Sequence, residues 1–173
     1  MSKQNNMQHI QHFIWDFDGT LLDSMGVWAE VDRAFLARRG IPLTRDSLVA
    51  CGKDVEYHPG VEDWFERINR YAAEAGVEVE HYVLSSGLKE IIEGTSIAKY
   101  FKKIYACEFM YRDGQAVWPK LAVNYTNKTQ FVYRINKGVL DISNNVELNS
   151  SRPDNEKRVF FSNMIYIGDG LTD

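Results

Sequence analysis

The sequence predicts an α/β protein: an open, mostly parallel sheet with helices on both faces, a small helical insert and a β-hairpin. Three observations carry that prediction. Short apolar runs rich in aromatic and β-branched residues recur at 12–17, 79–84 and 164–167, separated by segments of helical periodicity. Each run ends in small polar or acidic residues, and ligands of open parallel sheets bind at the carboxyl ends of their strands. Between the second and third runs, Arg112-Asp113-Gly114 interrupts a strand-like stretch at 103–118, and Asp-Gly there is a hairpin signal.

The elements follow in order. The run from His12 to Phe17 enters Asp18-Gly19-Thr20 as a buried strand ending in a turn. Val27, Trp28, Val31, Phe35 and Leu36 give residues 25–39 one apolar helical face, stopped by Gly40 and Pro42. Residues 43–58 read as a short helix and a loop. Residues 61–75 read as a helix with Val61, Trp64, Phe65, Ile68 and Tyr71 inward and Gly76 as its stop. The strand at 79–84 ends in Ser85-Ser86-Gly87, with a helix opening near Leu88. Thr126 or Asn127 caps a further helix running to Asn136, with Gly138 beyond it. Residues 141–157 are polar, contain Pro153 and read as a surface loop. The strand Met164–Ile167 then delivers Gly168-Asp169-Gly170.

Composition narrows the function classes. The 173 residues are 45% hydrophobic and 25% charged, enough for one core and a small insert. A net charge of −4 with no basic stripe argues against a nucleic-acid binder. No apolar stretch nears the ~20 residues of a membrane span, and MSKQNNMQHIQH lacks an apolar leader core, so a cytoplasmic address and no membrane partner are expected. Cys51 and Cys107 are too few and too far apart for a disulfide framework and are expected to be reduced and buried.

The chemistry concentrates at the strand ends. Asp16 and Asp18 stand one residue apart, so their side chains aim at much the same spot. Two such anions repel unless a cation neutralises them, and Mg2+ does so through oxygen ligands. Asp169 follows another apolar strand and adds a third carboxylate if that strand lies beside the first. Asp173 is placed to orient a water on the ion or Lys128, and serves equally as a helix N-cap. The Ser85 hydroxyl with the N–H groups of Ser86 and Gly87 makes a phosphate-oxygen site. Lys128 opens a helix, where a lysine opposes the macrodipole, and could reach a transferring phosphoryl group as a point charge. Read alone, Asp18-Gly19 is also an ordinary turn signal and Ser85 an ordinary cap; the shared edge joins them.

Taken together, Asp16-Phe-Asp-Gly-Thr20, Ser85, Lys128 and Gly168-Asp-Gly-Leu-Thr-Asp173 resemble the four ordered motifs of the haloacid dehalogenase superfamily, from Asp16 to the last residue. The resemblance implies a Rossmann-like core and a phosphatase mechanism. Asp16 would be the nucleophile forming an aspartyl-phosphate, and Asp18 the general acid and base. Asp16, the Asp18 carbonyl and Asp169 would hold Mg2+, while Ser85 and Lys128 would hold the phosphoryl oxygens. The second aspartate, typically absent from the dehalogenases, favours phosphoryl chemistry.

On this reading residues 1–20 and 59–173 form the core and 21–58 a small cap. The expected substrate is a small phosphorylated metabolite. The hairpin either adds a second wall or extends the sheet. The family fold usually continues past the fourth motif, so an end at Asp173 predicts an uncovered strand edge, self-association and lowered stability. The competing readings are a phosphotransferase, a truncated and catalytically impaired phosphate- or metal-binding domain, and a receiver domain. The receiver ranks last, because no strand-end aspartate stands between Asp18 and Ser85.

Overall fold

The segment His12-Phe-Ile-Trp15 is apolar on successive residues, so both faces of the strand it forms need cover. In the structure, a computed structural model describing residues 12–15, 21 and 44–168, that strand lies inside the sheet. Strand β1 (His12–Trp15) pairs in parallel with β2 (Glu80–Leu88) on one side and β5 (Met164–Ile167) on the other. Strand β3 (Phe101–Arg112) pairs in parallel with β2, and β4 (Gln115–Leu121) is antiparallel to β3. Among the described residues the five strands have the order β4-β3-β2-β1-β5.

Helices cover both faces. Helices α1 (Arg45–Cys51), α2 (Val61–Glu74) and α3 (Lys89–Glu93) bring Leu48, Phe65, Ile91 and Ile92 against Phe13, Trp15, Val83 and Ala106. On the opposite face α4 (Lys128–Lys137) packs Phe131 and Ile135 against Ile14, Tyr82, Leu84 and Tyr105. The mostly parallel α/β architecture expected from the sequence is present. No helix among the described residues is long and apolar enough to cross a membrane.

Local departures from the sequence reading have physical causes. Tyr71, expected inward, is 56% exposed, and Ala72 is buried in its place. At ~100° per residue, Tyr71 lies ~120° round the helix from Phe65, past the edge of the apolar stripe, whereas Ala72 lies beside its centre. Asn127 precedes α4 without a side-chain capping bond. Its amide is engaged in the loop instead, accepting from the Asn124 N–H at 2.9 Å and donating to the Ala122 carbonyl at 2.9 Å. The segment 141–157, expected as a loop, contains helix α5 (Asn145–Asn149). Asn144 caps it by accepting from the Glu147 N–H at 3.1 Å, while its side-chain amide donates to the Glu147 carboxylate at 2.7 Å. The buried Arg134 ties this segment down by donating to the carbonyls of Asp141 at 2.7 Å and Ile142 at 3.1 Å. The thiols of Cys51 and Cys107 are free and half-buried, not fully buried.

The hairpin extends the sheet. Asp113 (φ 51°) and Gly114 (φ 76°) both sit in the left-handed region that its tight turn requires. The first half of β3 follows β2 as far as the Leu88–Cys107 pair; from Glu108 onward it pairs only with β4. Where β2 stops, the buried Glu90 of α3 accepts the Phe109 N–H at 3.3 Å. The tip is joined to the residue before α1 by a Thr44–Gln115 bridge. Helix α1 in turn crosses α3 so closely that a Cβ on Gly52 would run into the Ile91 carbonyl, and one on Gly94 into that of Val49.

Candidate active site

The edge where the strands terminate is set by register. Trp15, the last residue of β1, stands opposite Val83 of β2 and Ile167 of β5. Three parallel strands therefore reach the same level side by side. Ser85 lies two residues past Val83, and Gly168 one past Ile167.

Ser85 is fully buried, and its Oγ accepts the Gly87 N–H at 2.9 Å. That bond closes a small loop on β2: pairing with β3 is irregular between Leu84 and Leu88, so residues 85–87 bulge out of the ladder before Leu88 rejoins it. Ser86 is exposed at the apex of the bulge, and its carbonyl receives the Cys107 thiol at 3.3 Å. The Gly87 N–H, expected to face a phosphate oxygen, is thus engaged by Ser85. The helix that follows, α3, begins one residue later than expected and is a little over one turn long. A dipole that short adds little, and the serine hydroxyl carries the polar character of this bulge.

Lys128 is the first residue of α4 and half-buried. The loop delivering it is stiffened by Asn124, whose Oδ1 accepts from the Thr126 N–H at 2.9 Å and hydroxyl at 2.6 Å. Lys128 stands at one wall of a cavity of about 370 Å³, with Tyr125, Val132, Tyr133, Phe161 and Tyr166 among its other walls. Neither Ser85 nor Lys128 is without a partner.

Asp16, Asp18, Asp169 and Asp173 lie outside the described residues. Among the described residues no cluster of His, Cys, Asp or Glu could hold a metal ion.

The mostly parallel sheet with helices on both faces finds counterparts among solved structures. A HAD family hydrolase from Salmonella enterica serovar Typhi superposes with a TM-score of 0.55 over 94% of this chain at 17% identity. The chain has the haloacid dehalogenase fold. A probable phosphoserine phosphatase from Vibrio cholerae shares the haloacid dehalogenase fold with a TM-score of 0.56 over 96% of the chain at 10% identity. The apo form of a phosphoserine phosphatase gives 0.55 over 95% at 14% identity. The chain spans 57% of the Salmonella hydrolase, 53% of the Vibrio protein and 80% of the apo phosphatase. In sequence, an uncharacterized protein of Borreliella burgdorferi is 26% identical across 98% of this chain and 78% of its own length. No family model matches.

Sequence reasoning passed over two polar residues behind this edge of the haloacid dehalogenase sheet. His81 is an inward-facing polar residue within an apolar strand, and Glu90 is a fully buried carboxylate just past the serine bulge. The alternation of β2 could have flagged His81, which stands two residues before Val83 on the same face. Nothing in the pattern around Glu90 distinguishes it from a surface helix residue.

Proposed function

We propose that the chain is a Mg2+-dependent phosphomonoesterase that works through an aspartyl-phosphate on Asp16 and acts on a small phosphorylated metabolite. The supporting observation is the register that sets Trp15 of β1 level with Val83 of β2 and Ile167 of β5. Successive Cα atoms are ~3.8 Å apart and neighbouring strands ~4.8 Å. Asp16 is bonded to Trp15 and Asp169 follows Ile167 by two residues, which supports a shared ion between them. An all-oxygen donor set of Asp16, the Asp18 carbonyl and Asp169 suits Mg2+. When bound, the ion would offset the charge that otherwise repels an anionic phosphate from a carboxylate.

The chain's own residues do the rest. A carboxylate oxygen of Asp16 attacks phosphorus in line; the bond from phosphorus to the ester oxygen breaks, and Asp18 gives that oxygen its proton. Asp18, now a carboxylate, takes a proton from the water that attacks phosphorus in the second step. The bond from phosphorus to Asp16 breaks and inorganic phosphate leaves. Ser85 and Lys128 hold the equatorial oxygens, and Lys128 offsets charge as it builds.

The test is hydrolysis of 4-nitrophenyl phosphate with and without Mg2+, on the wild type and on Asp16→Asn. Release of free phosphate that needs the metal and disappears in Asp16→Asn is expected. Activity that survives either change defeats the reading, and phosphate appearing on an added alcohol in place of solution makes the chain a phosphotransferase.

A further inference from the structure

The last residue of β1 is held from below by a chain of side-chain hydrogen bonds. Trp15 Nε1–H donates to His81 Nδ1 at 3.3 Å, and His81 Nε2 bonds Asn69 Oδ1 at 2.8 Å. An indole nitrogen only donates, so Nδ1 is the acceptor and the ring proton sits on Nε2, donated to the asparagine carbonyl. His81 is 2% exposed and boxed by the rings of Phe13, Trp64 and Phe65 at 5.7, 5.9 and 5.1 Å. The Trp15 ring meets Trp64 edge-on at 4.5 Å. Asn69 lies on α2, His81 on β2 and Trp15 on β1, so a helix and a neighbouring strand are tied to one side chain at the strand's end.

A purely apolar core would pack this box as well and would avoid burying polar groups that each need a partner. What the hydrogen bonds add is direction: they fix the rotation of the indole and hence the backbone at residue 15, to which residue 16 is bonded. We propose that His81, supported by Asn69, is a positioning residue that fixes the end of β1, from which the proposed nucleophile Asp16 follows. The catalytic part of this inference rests on the phosphatase reading; the structural part does not.

His81→Phe keeps the ring but removes both bonds, and Trp15→Phe removes the indole N–H. A misplaced nucleophile lowers turnover more than binding, so His81→Phe is expected to cut kcat roughly 10-fold with KM within about 2-fold of wild type. In a Trp15→Phe background the same change should alter kcat less than about 2-fold, since the bond it acts through is already gone. The backbone amide resonance of Asp16 should shift in His81→Phe and not shift further when that change is added to Trp15→Phe. If His81→Phe does not fold, Asn69→Leu, which leaves the imidazole in place without its far partner, is read by the same measures. An unmoved Asp16 amide, an unchanged kcat, a loss confined to KM, or independent effects of the two changes overturns the proposal. If the wild type shows no Asp16-dependent hydrolysis, the phosphatase reading falls and the amide resonance alone decides whether His81 aims the end of β1.

Discussion

Arg158 donates from one guanidinium nitrogen to both carboxylate oxygens of Glu80 at 2.5 Å, and from another to the Tyr82 hydroxyl at 2.7 Å. Glu80 also receives the Tyr82 hydroxyl at 2.7 Å, His12 Nε2 at 2.9 Å and the Lys102 ammonium. This cluster lies at the amino ends of β1 and β2, the edge opposite the candidate site, and it fastens the segment that leads into β5.

Replacing Arg158 with Met keeps much of the stem and removes the charge that Glu80 answers. With the Glu80 side chain only 13% exposed, the loss should be about 2–3 kcal/mol, less than the ~3–5 kcal/mol of a fully buried pair because Lys102 remains. Urea unfolding of Arg158→Met, with Glu80→Gln and the double variant completing the cycle, measures it.

Acid should act in two stages. Burial lowers His81 from 6.5 to about 4. Burial pushes Glu80 upward, but hydrogen bonds from Arg158, Lys102 and Tyr82 outweigh it and hold the group at about 2. The unfolded chain therefore binds more protons than the folded one between about pH 6.5 and 4 through His81, and between about pH 4.5 and 2 through Glu80. Stability is full above the first window and falls as pH drops through each, His81 accounting for roughly 3 kcal/mol. Urea midpoints at neutral pH and at about pH 4 should differ in the wild type and much less in a folded His81 variant; equal midpoints would contradict a neutral buried imidazole.

Gly52 and Gly94 let α1 and α3 cross backbone to backbone. Their own dihedrals are helical (φ −64° and −78°), so the requirement is for space and not for an unusual conformation. Alanine at either position has no flexible side chain to push aside and should cost about 3 kcal/mol, whereas alanine at the Gly60 cap meets no neighbouring atom and suffers only from its positive φ. Thermal unfolding of the three variants compares them directly.

At the candidate site, Ser85→Ala removes the hydroxyl that organises the bulge, and Lys128→Met removes the cation while keeping the stem. If both hold phosphoryl oxygens, kcat/KM for 4-nitrophenyl phosphate should fall about 10–100-fold for the serine and about 100–1000-fold for the lysine, with folding retained by circular dichroism.

The sheet was legible in the sequence because β1, β2 and β5 announce themselves by short runs rich in aromatic and β-branched residues, and the Asp113-Gly114 turn by its residue types. Gly76 and Gly138, at φ 71° and 76°, end their helices where the sequence placed the stops. Ser85 and Lys128 were legible as candidates through order along the chain. What escaped was held by contacts that have no period: Arg134 reaching carbonyls of the following segment, Glu90 receiving the Phe109 N–H, and Asn69 and His81 meeting beneath Trp15. Such bonds depend on three-dimensional neighbours, and a linear pattern of apolar residues carries no trace of them.

The change of partner along β3 divides the sheet dynamically. From Phe101 to Cys107 the strand is laddered to β2, and the amide protons held in that ladder should exchange with solvent only when the whole domain opens. Beyond Glu108 the strand has β4 on one side and little more than Glu90 on the other, so that ribbon can come away without disturbing the parallel strands. Deuterium uptake should therefore be fast across 115–121 and slow across 101–107, and a protease offered the folded protein should nick the ribbon first.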